Sequence, residues 1–587
     1  MDRPDYRFGA TLLAPDRTRF RFWAPGASSV SVVVGDVEPI IMSQPENGWF
    51  VTEVRCGAGT RYRFEVHPGV TVPDPASRLQ AGDLHDESVV VDHDSYKWHQ
   101  SAWPGRPWHE AIIYELHVGL LGGFLGVMKH LPDLAALGIT AIELMPIADF
   151  PGPRNWGYDG VLIYAPDASY GTPDELKALV DTAHGLGIMV FLDVVYNHFG
   201  PDGNYLGLYA DSFYRSDQTT PWGAAIDFRS ADVRRFFIEN SLYWLAEYRI
   251  DGLRFDAVHA IQDRNFLMEL VTQIRAATSG RHTHLILENE EQDASFLQCA
   301  PEQAFYDAQW ADDLHHCVHV LLTGETAGYY QDYADAPAER LAHCLVRGFD
   351  RQGEPSAYRG GIPRGTPSGH LPPMCFAISL QNHDQIGNRA FGERLTSLAH
   401  PDGVRAASVL LLLAPQIPML FMGQEWGATA PFLFFTSFTG ELAKAVKEGR
   451  RREFSHFPEF ADPSIRELIP DPNDPATFAA SIPDHTEVNH PQHKSWLELH
   501  RRLLAVRTSE IVPRLPGTAA ISASALGGTG VFARWRLGDG AELTISVNLG
   551  DVDVPFSPPN DRVLFELNWA PGQTTLRARS AVALLRS

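Results

Sequence analysis

Four short stretches set carboxylates beside other reactive side chains: Asp193-Val-Val-Tyr-Asn-His198, Gly252-Leu-Arg-Phe-Asp256, Glu288-Asn-Glu290 and Gln381-Asn-His-Asp384. Each lies at the end of a short apolar run of strand character. A single acid at a strand end is an ordinary helix cap or ion-pair partner. Acids converging from four strands are another matter, because clustered like charge is costly unless it is used. Arg254 and Asp256 are two apart, so on a strand they face the same side. A guanidinium there favours the ionised carboxylate that a nucleophile needs. Glu288 falls on the following strand. Two carboxyls on adjacent strands can stand roughly 5 Å apart, the arrangement that hydrolyses a glycosidic bond with retention. Asp256 fits the attacking group and Glu288 the proton donor.

Such residues need a frame that brings several strand ends together. Eight apolar runs occur in order: Ile112 to Leu116, Ala141 to Met145, Ile188 to Val194, Leu253 to Asp256, Leu285 to Glu288, Phe305 to Trp310, Phe376 to Leu380 and Met419 to Met422. Amphipathic helical stretches lie between them. For one, Thr172 is the expected N-cap, Pro173 the first residue, Glu175 the capping-box partner and Gly187 the stop. The pattern predicts a (β/α)8 barrel with inserted loops, whose active site is built at the strand C-termini. A doubly wound sheet is the rival, but no Gly-rich phosphate turn is present. Alternating stretches near Arg19–Trp23 and Tyr62–Val66 predict a β-sandwich over residues 1–100. The barrel is expected over 101–508. A C-terminal β-sandwich is expected over 509–587, where Gly530–Trp535 and Leu543–Val547 alternate. The fold class is thus multidomain α/β.

Composition narrows the partners. The chain has 587 residues, too many for one core, and 48 basic against 72 acidic residues give a formal charge of −24. That charge opposes nucleic acid and anionic membrane surfaces but not a neutral sugar. The five cysteines are scattered, with no CxxC spacing, which points away from zinc and toward a reducing, cytoplasmic location. No cofactor or catalytic metal is expected, and a monomer is expected. The pair His282 and His284 could be offered as metal ligands, but they precede strand five, at the far end of a barrel from its site.

The four stretches resemble the ordered motifs of the α-amylase superfamily, glycoside hydrolase family 13. The resemblance implies a nucleophile at Asp256, a general acid/base at Glu288 and a transition-state stabiliser at Asp384. It implies that Arg254 keeps Asp256 charged, that His198 and His383 bond the sugar in the cleaved subsite, and that Tyr158 stacks on it. Asp193 would be structural within the site. Further stretches are similar to the malto-oligosyltrehalose trehalohydrolase family, among them Trp156-Gly-Tyr-Asp-Gly160, Gln309-Trp-Ala-Asp-Asp-Leu-His-His316 and Phe421-Met-Gly-Gln-Glu-Trp426. This resemblance runs from about Phe8 to the C-terminus. It implies cleavage of the α-1,4 bond next to the terminal trehalose of a maltooligosyltrehalose, with related α-glucans as partners. Trp222, His259, Glu290, Trp310, Asp312, Asp313 and Glu425 are candidates for recognising the trehalose end. The chain departs from the family at Leu120-Leu-Gly-Gly-Phe-Leu-Gly126, so the first strand–helix loop should differ in shape. An α-glucan branching or debranching enzyme is the alternative reading. A metal-dependent hydrolase and a non-catalytic glycan-binding protein are more distant ones.

Overall fold

A computed structural model describes residues 5–35, 37–46, 48–297, 305–457 and 460–587. Cys299 lies outside them. Two antiparallel sheets open the chain. One orders Gly9–Ala14, Arg17–Trp23, Trp49–Val54 and Ser43–Glu46; the other orders Ile40–Ile41, Ser31–Val34, Arg61–His67 and Val70–Val72. Alternation buries Phe20 and Phe22 from one sheet against Tyr62 and Phe64 from the other. The ring centroids of Phe22 and Phe64 are 4.2 Å apart.

Eight parallel strands then close into a barrel: Ile113–Leu116, Ala141–Leu144, Met189–Val194, Gly252–Phe255, His284–Leu287, Ala308–Trp310, Phe376–Ser379 and Ile417–Phe421. All eight strands anticipated from the sequence are present. The last begins two residues early, because Pro418 sits inside it, paired with Ile378. Proline reads as a breaker within a strand, but here it is the second residue, near the strand's start, where it is tolerated. The helix after Tyr170 has its capping box at Thr172 and Glu175, with Pro173 at its start. Between strands five and six, the described residues contain only a short 3-10 turn, Ala294–Phe296.

Period-two alternation sorts the barrel interior into layers. Ile113, Ala141, Phe191 and Ile286 form an apolar floor with Met419. One step toward the C-terminal ends, the inward positions turn polar: Glu115, Glu143, Asp193 and Arg254, all buried. At Gly252 a Cβ would sit 2.8 Å from the Phe191 ring, so glycine makes room for that floor residue. His284 lies below the floor, where its Nε2 bonds the Arg106 carbonyl at 2.8 Å.

The chain ends in a five-stranded antiparallel sheet ordered Ala519–Leu526, Gly530–Arg536, Glu542–Asn548, Ser580–Arg586 and Arg562–Leu567, with a two-stranded pair, Val554–Pro555 and Thr575–Leu576. Trp535 is fully buried and donates to the Leu345 carbonyl at 3.2 Å, which ties the sheet to the helix Pro337–Arg347. No helix among the described residues is long and apolar enough to cross a membrane.

Candidate active site

Asp256 and Glu288 each stand one residue beyond a barrel strand. Phe255 pairs with Leu287, and the Glu288 N–H donates to the Phe255 carbonyl at 3.0 Å, so the ladder carries the two acids side by side. Adjacent strands lie about 4.8 Å apart, which sets their backbone separation. Arg254 joins them. Its Nη1 donates to Asp256 Oδ1 at 2.8 Å and to Asp193 Oδ2 at 2.7 Å. Its Nη2 stands 2.9 Å from Glu288 Oε2 as an ion pair, at an angle that makes no hydrogen bond. The guanidinium lies over the Trp310 ring, with its carbon 4.1 Å from the ring centre.

Backbone geometry finishes the placement. Ala257 follows Asp256 with φ +40°, a left-handed conformation that costs a non-glycine residue energy and is a mark of functional turns. That turn aims the Ala257 N–H at Glu288 Oε2, 2.8 Å away. Asn197 donates to Asp256 Oδ2 at 2.8 Å. Asp256 is therefore held at both carboxylate oxygens.

The third acid, Asp384, lies in the first turn of a short helix, His383–Gly387, capped by Asn382. His383 Nε2 is 3.4 Å from Asp384 Oδ1. The side chains of Asp256, Glu288 and Asp384 are 11%, 21% and 37% exposed, whereas that of Asp193 is 2% exposed. Three acids thus reach the cleft and the fourth supports them from below. Burial pushes Asp193 up to about 7 despite Arg254, with Asp256 adding to the rise. The Tyr158 hydroxyl donates to Asp193 Oδ2 at 2.8 Å, and its ring stacks against His383 at 5.0 Å. His198 sits between the Asn197 side-chain oxygen and the Tyr158 carbonyl. Burial holds its imidazole below the ordinary value.

The residues expected on the trehalose side divide into two groups. Trp222 is 47% exposed at a hairpin tip and stacks on His198 with centroids 5.3 Å apart. His259 and Glu290 form a pair near solvent, 3.7 Å between Nε2 and Oε2. Asp312 accepts from Gln385 at 3.4 Å, and burial together with Glu288 and Asp384 pushes it up to about 7. Trp310, Asp313 and Glu425 are buried. Asp313 accepts from Tyr333, from Arg364 at 3.4 Å and from the Asp350 N–H at 2.8 Å. Glu425 accepts from Tyr114 at 2.9 Å. Asp313 and Glu425 are thus held by partners from within the fold. Burial favours internal partners for them, which motif position alone does not reveal. Conversely, the structure draws in Asn197, Glu115 and Glu143, to which sequence reasoning gave no role. The signal for the two glutamates was present: an acid in the middle of each of two otherwise apolar strands.

The described residues contain no group of three or more His, Cys, Asp or Glu placed to hold a metal ion.

Known proteins resemble this chain over most of its length. The family described as "Alpha amylase, catalytic domain" matches residues 92–222, and a "Domain of unknown function (DUF3459)" matches residues 518–583. A malto-oligosyltrehalose trehalohydrolase of Deinococcus radiodurans is 41% identical over 87% of this chain and 84% of its own. One from Saccharolobus solfataricus is 40% identical over 75% of this chain and 79% of its own. The crystal structure of a candidate alpha amylase from Salmonella typhimurium superposes with a TM-score of 0.94 at 41% identity, covering 99% of this chain and 100% of that one. The chain belongs to the malto-oligosyltrehalose trehalohydrolases, the trehalose-releasing glycoside hydrolases of the α-amylase superfamily.

Proposed function

We propose that Asp256, Glu288 and Asp384 carry a double displacement at the α-1,4 bond between a maltooligosaccharide and its terminal trehalose. The observation that supports it most is that Asp256 and Glu288 stand side by side beyond paired neighbouring strands, with Arg254 bonded to Asp256. A carboxylate oxygen of Asp256 attacks the anomeric carbon as the glycosidic C–O bond breaks. Glu288 gives its proton to the departing trehalose oxygen. The sugar is then held through an ester to Asp256. Water attacks the same carbon, Glu288 takes its proton, and the C–O bond to Asp256 breaks. Free trehalose and a shorter maltooligosaccharide result, and the enzyme regains its starting protonation.

The other residues supply binding. Asp384 faces the positive charge that develops on the sugar ring, and His383 and His198 line the same subsite beside Tyr158. Tyr158 provides the stacking face. Arg254 and Asn197 hold Asp256 in line, with Asp193 as the counter-charge beneath. On the leaving side, Trp222 offers an aromatic face, and His259 with Glu290 offers donors and acceptors. We place the enzyme in the cytoplasm, a reading supported by its few, scattered cysteines.

Chromatography of products from maltotriosyltrehalose and, separately, from maltopentaose tests this reading. Free trehalose from the first, with little turnover of the second, is the expected result. Equal cleavage of both would make the protein a general α-glucan hydrolase. New α-1,6 linkages would make it a branching enzyme, a class to which 41% of this chain is similar in Streptomyces coelicolor, at 35% identity.

A further inference from the structure

Beneath the three cleft acids, two glutamates lie side by side in the buried barrel interior. Glu115 and Glu143 are direct partners in the register of strands one and two, and each is 1% exposed. Two adjacent charges of one sign there are mutually destabilising, and each also loses its water. The structure treats the two differently. Glu115 uses both oxygens on His383: Oε1 accepts from Nδ1 and Oε2 accepts from the backbone N–H at 3.2 Å. Neither oxygen of Glu143 has a hydrogen-bond partner. An ionised carboxylate with no donor is the costliest arrangement available to that side chain.

Proton counting around His383 gives the complementary result. Its Nδ1 faces a carboxylate, so it carries hydrogen. Its Nε2 lies 2.8 Å from the Tyr158 hydroxyl, whose own hydrogen goes to Asp193. Nε2 must then donate as well. We propose that Glu115 is a positioning residue that stays ionised and clamps His383 as a doubly protonated imidazolium, while Glu143 beside it holds a proton and stays neutral. This division fixes the Nε2–H of His383 on the Tyr158 hydroxyl and sets a fixed positive charge next to Asp384.

The surrounding charges agree with it. Burial pulls the His383 imidazole down, but Asp384 and Glu115 outweigh that and raise it to about 10. Burial, then Glu115 and Asp193, push Glu143 well above the usual carboxylate range, against Arg254 and His383. Tyr158 and His117 are the remaining titratable neighbours; burial lowers His117 to about 4, so it stays neutral.

The proposal rests on the reading that His383 faces the sugar, and its test separates the two. In kcat/KM against pH, the basic limb reports the groups of the free enzyme that must stay protonated, here Glu288 and His383 together. Glu115→Gln removes the counter-charge. It should lower kcat/KM about 10-fold or more and move the basic limb to lower pH by about one unit or more. Glu115→Asp should restore the limb. Glu143→Gln should leave the limb where wild type has it. It should also abolish a protonated-carboxyl C=O band in the infrared difference spectrum; Glu143→Leu serves the same purpose if the glutamine variant does not fold. A Glu115→Gln profile that superimposes on wild type after scaling would overturn the proposal. So would a limb that moves equally in Glu143→Gln, or an acid band that survives it. The infrared measurement needs no substrate, so it stands even if wild type releases no trehalose.

Discussion

Glu288 is proposed to donate a proton and later to accept one, and the two duties can be separated by the leaving group. A sugar alkoxide leaves only if it is protonated, whereas fluoride leaves unaided. Glu288→Gln should therefore lose about 10²- to 10⁴-fold in kcat on a maltooligosyltrehalose, yet release a burst of fluoride from an α-glucosyl fluoride, read with a fluoride electrode. Equal loss on both substrates would remove Glu288 from the acid role. Glu425 calls for the opposite experiment. It is buried against Tyr114, and burial pushes its carboxyl up to about 7, above the ordinary 4.5, although Tyr114 and Arg394 act to lower it. A carboxyl raised by folding contributes its full stability below its unfolded value and loses it as pH rises through the folded one. Glu425→Gln keeps the shape and removes the charge. Its melting temperature relative to wild type should rise between pH 5 and pH 8, by about 2 °C or more in scanning calorimetry, while KM for maltooligosyltrehalose stays unchanged. A large rise in KM would place Glu425 on the sugar-binding surface.

Elements deliver these residues, and the turn at Gly157 shows how closely. Its φ is +106°, and a Cβ there would lie 2.1 Å from the Pro146 carbonyl oxygen. Only glycine lets the loop after strand two pass so near the strand and set the Tyr158 ring against His383. Gly157→Ala must shift the loop, and a shift of about 1 Å in a positioning group costs on the order of 100-fold. The expected result is a fall in kcat/KM of that size, larger than the change in melting temperature would account for, measured by steady-state kinetics beside a thermal melt. The eight strands were legible because buried parallel strands are short apolar runs with plain boundaries. The acids at strands three, four, five and seven were legible because each ends such a run beside a distinctive neighbour. What escaped was set by tertiary contact. The start of strand eight was hidden by Pro418, and the hairpin of Tyr214–Thr220 and Gly223–Ile226 is too polar to show alternation. The internal partners of Asp313 come from Tyr333, Asp350 and Arg364, 20, 37 and 51 residues away. No local pattern encodes those distances. Glu115 and Glu143 were visible as anomalies, but their different states follow only from which of them His383 reaches.

At the scale of the whole chain, the N-terminal sandwich is docked onto the helix Ala231–Glu247, which leads from strand three to the strand that carries Arg254. Phe8 packs edge-on against Phe236 at 5.1 Å, Trp49 donates to Asp232 at 3.1 Å, and the Arg7 N–H donates to Glu239 at 2.8 Å. At the centre is Arg78, buried from the sandwich side. Its guanidinium carbon lies 4.4 Å from the ring centres of both Tyr164 and Tyr243 and 5.3 Å from that of Tyr6, and it donates to the Phe8 carbonyl at 3.0 Å. A desolvated cation held by aromatic faces contributes about 2 kcal/mol, and truncation adds a cavity. Arg78→Ala should therefore lower the melting temperature by about 4–8 °C. The barrel strands are closed by their own ladder, with no strand supplied by the sandwich. Well below the melt, kcat/KM should consequently stay within about twofold of wild type, since the docking surface stands behind the helix and touches none of the cleft acids. Calorimetry and kinetics on the same preparation decide the matter. A melt that splits into two transitions would mean that Arg78 couples the sandwich and barrel into one cooperative unit. A loss of kcat/KM at low temperature would mean that the sandwich reaches Asp256 through the helix.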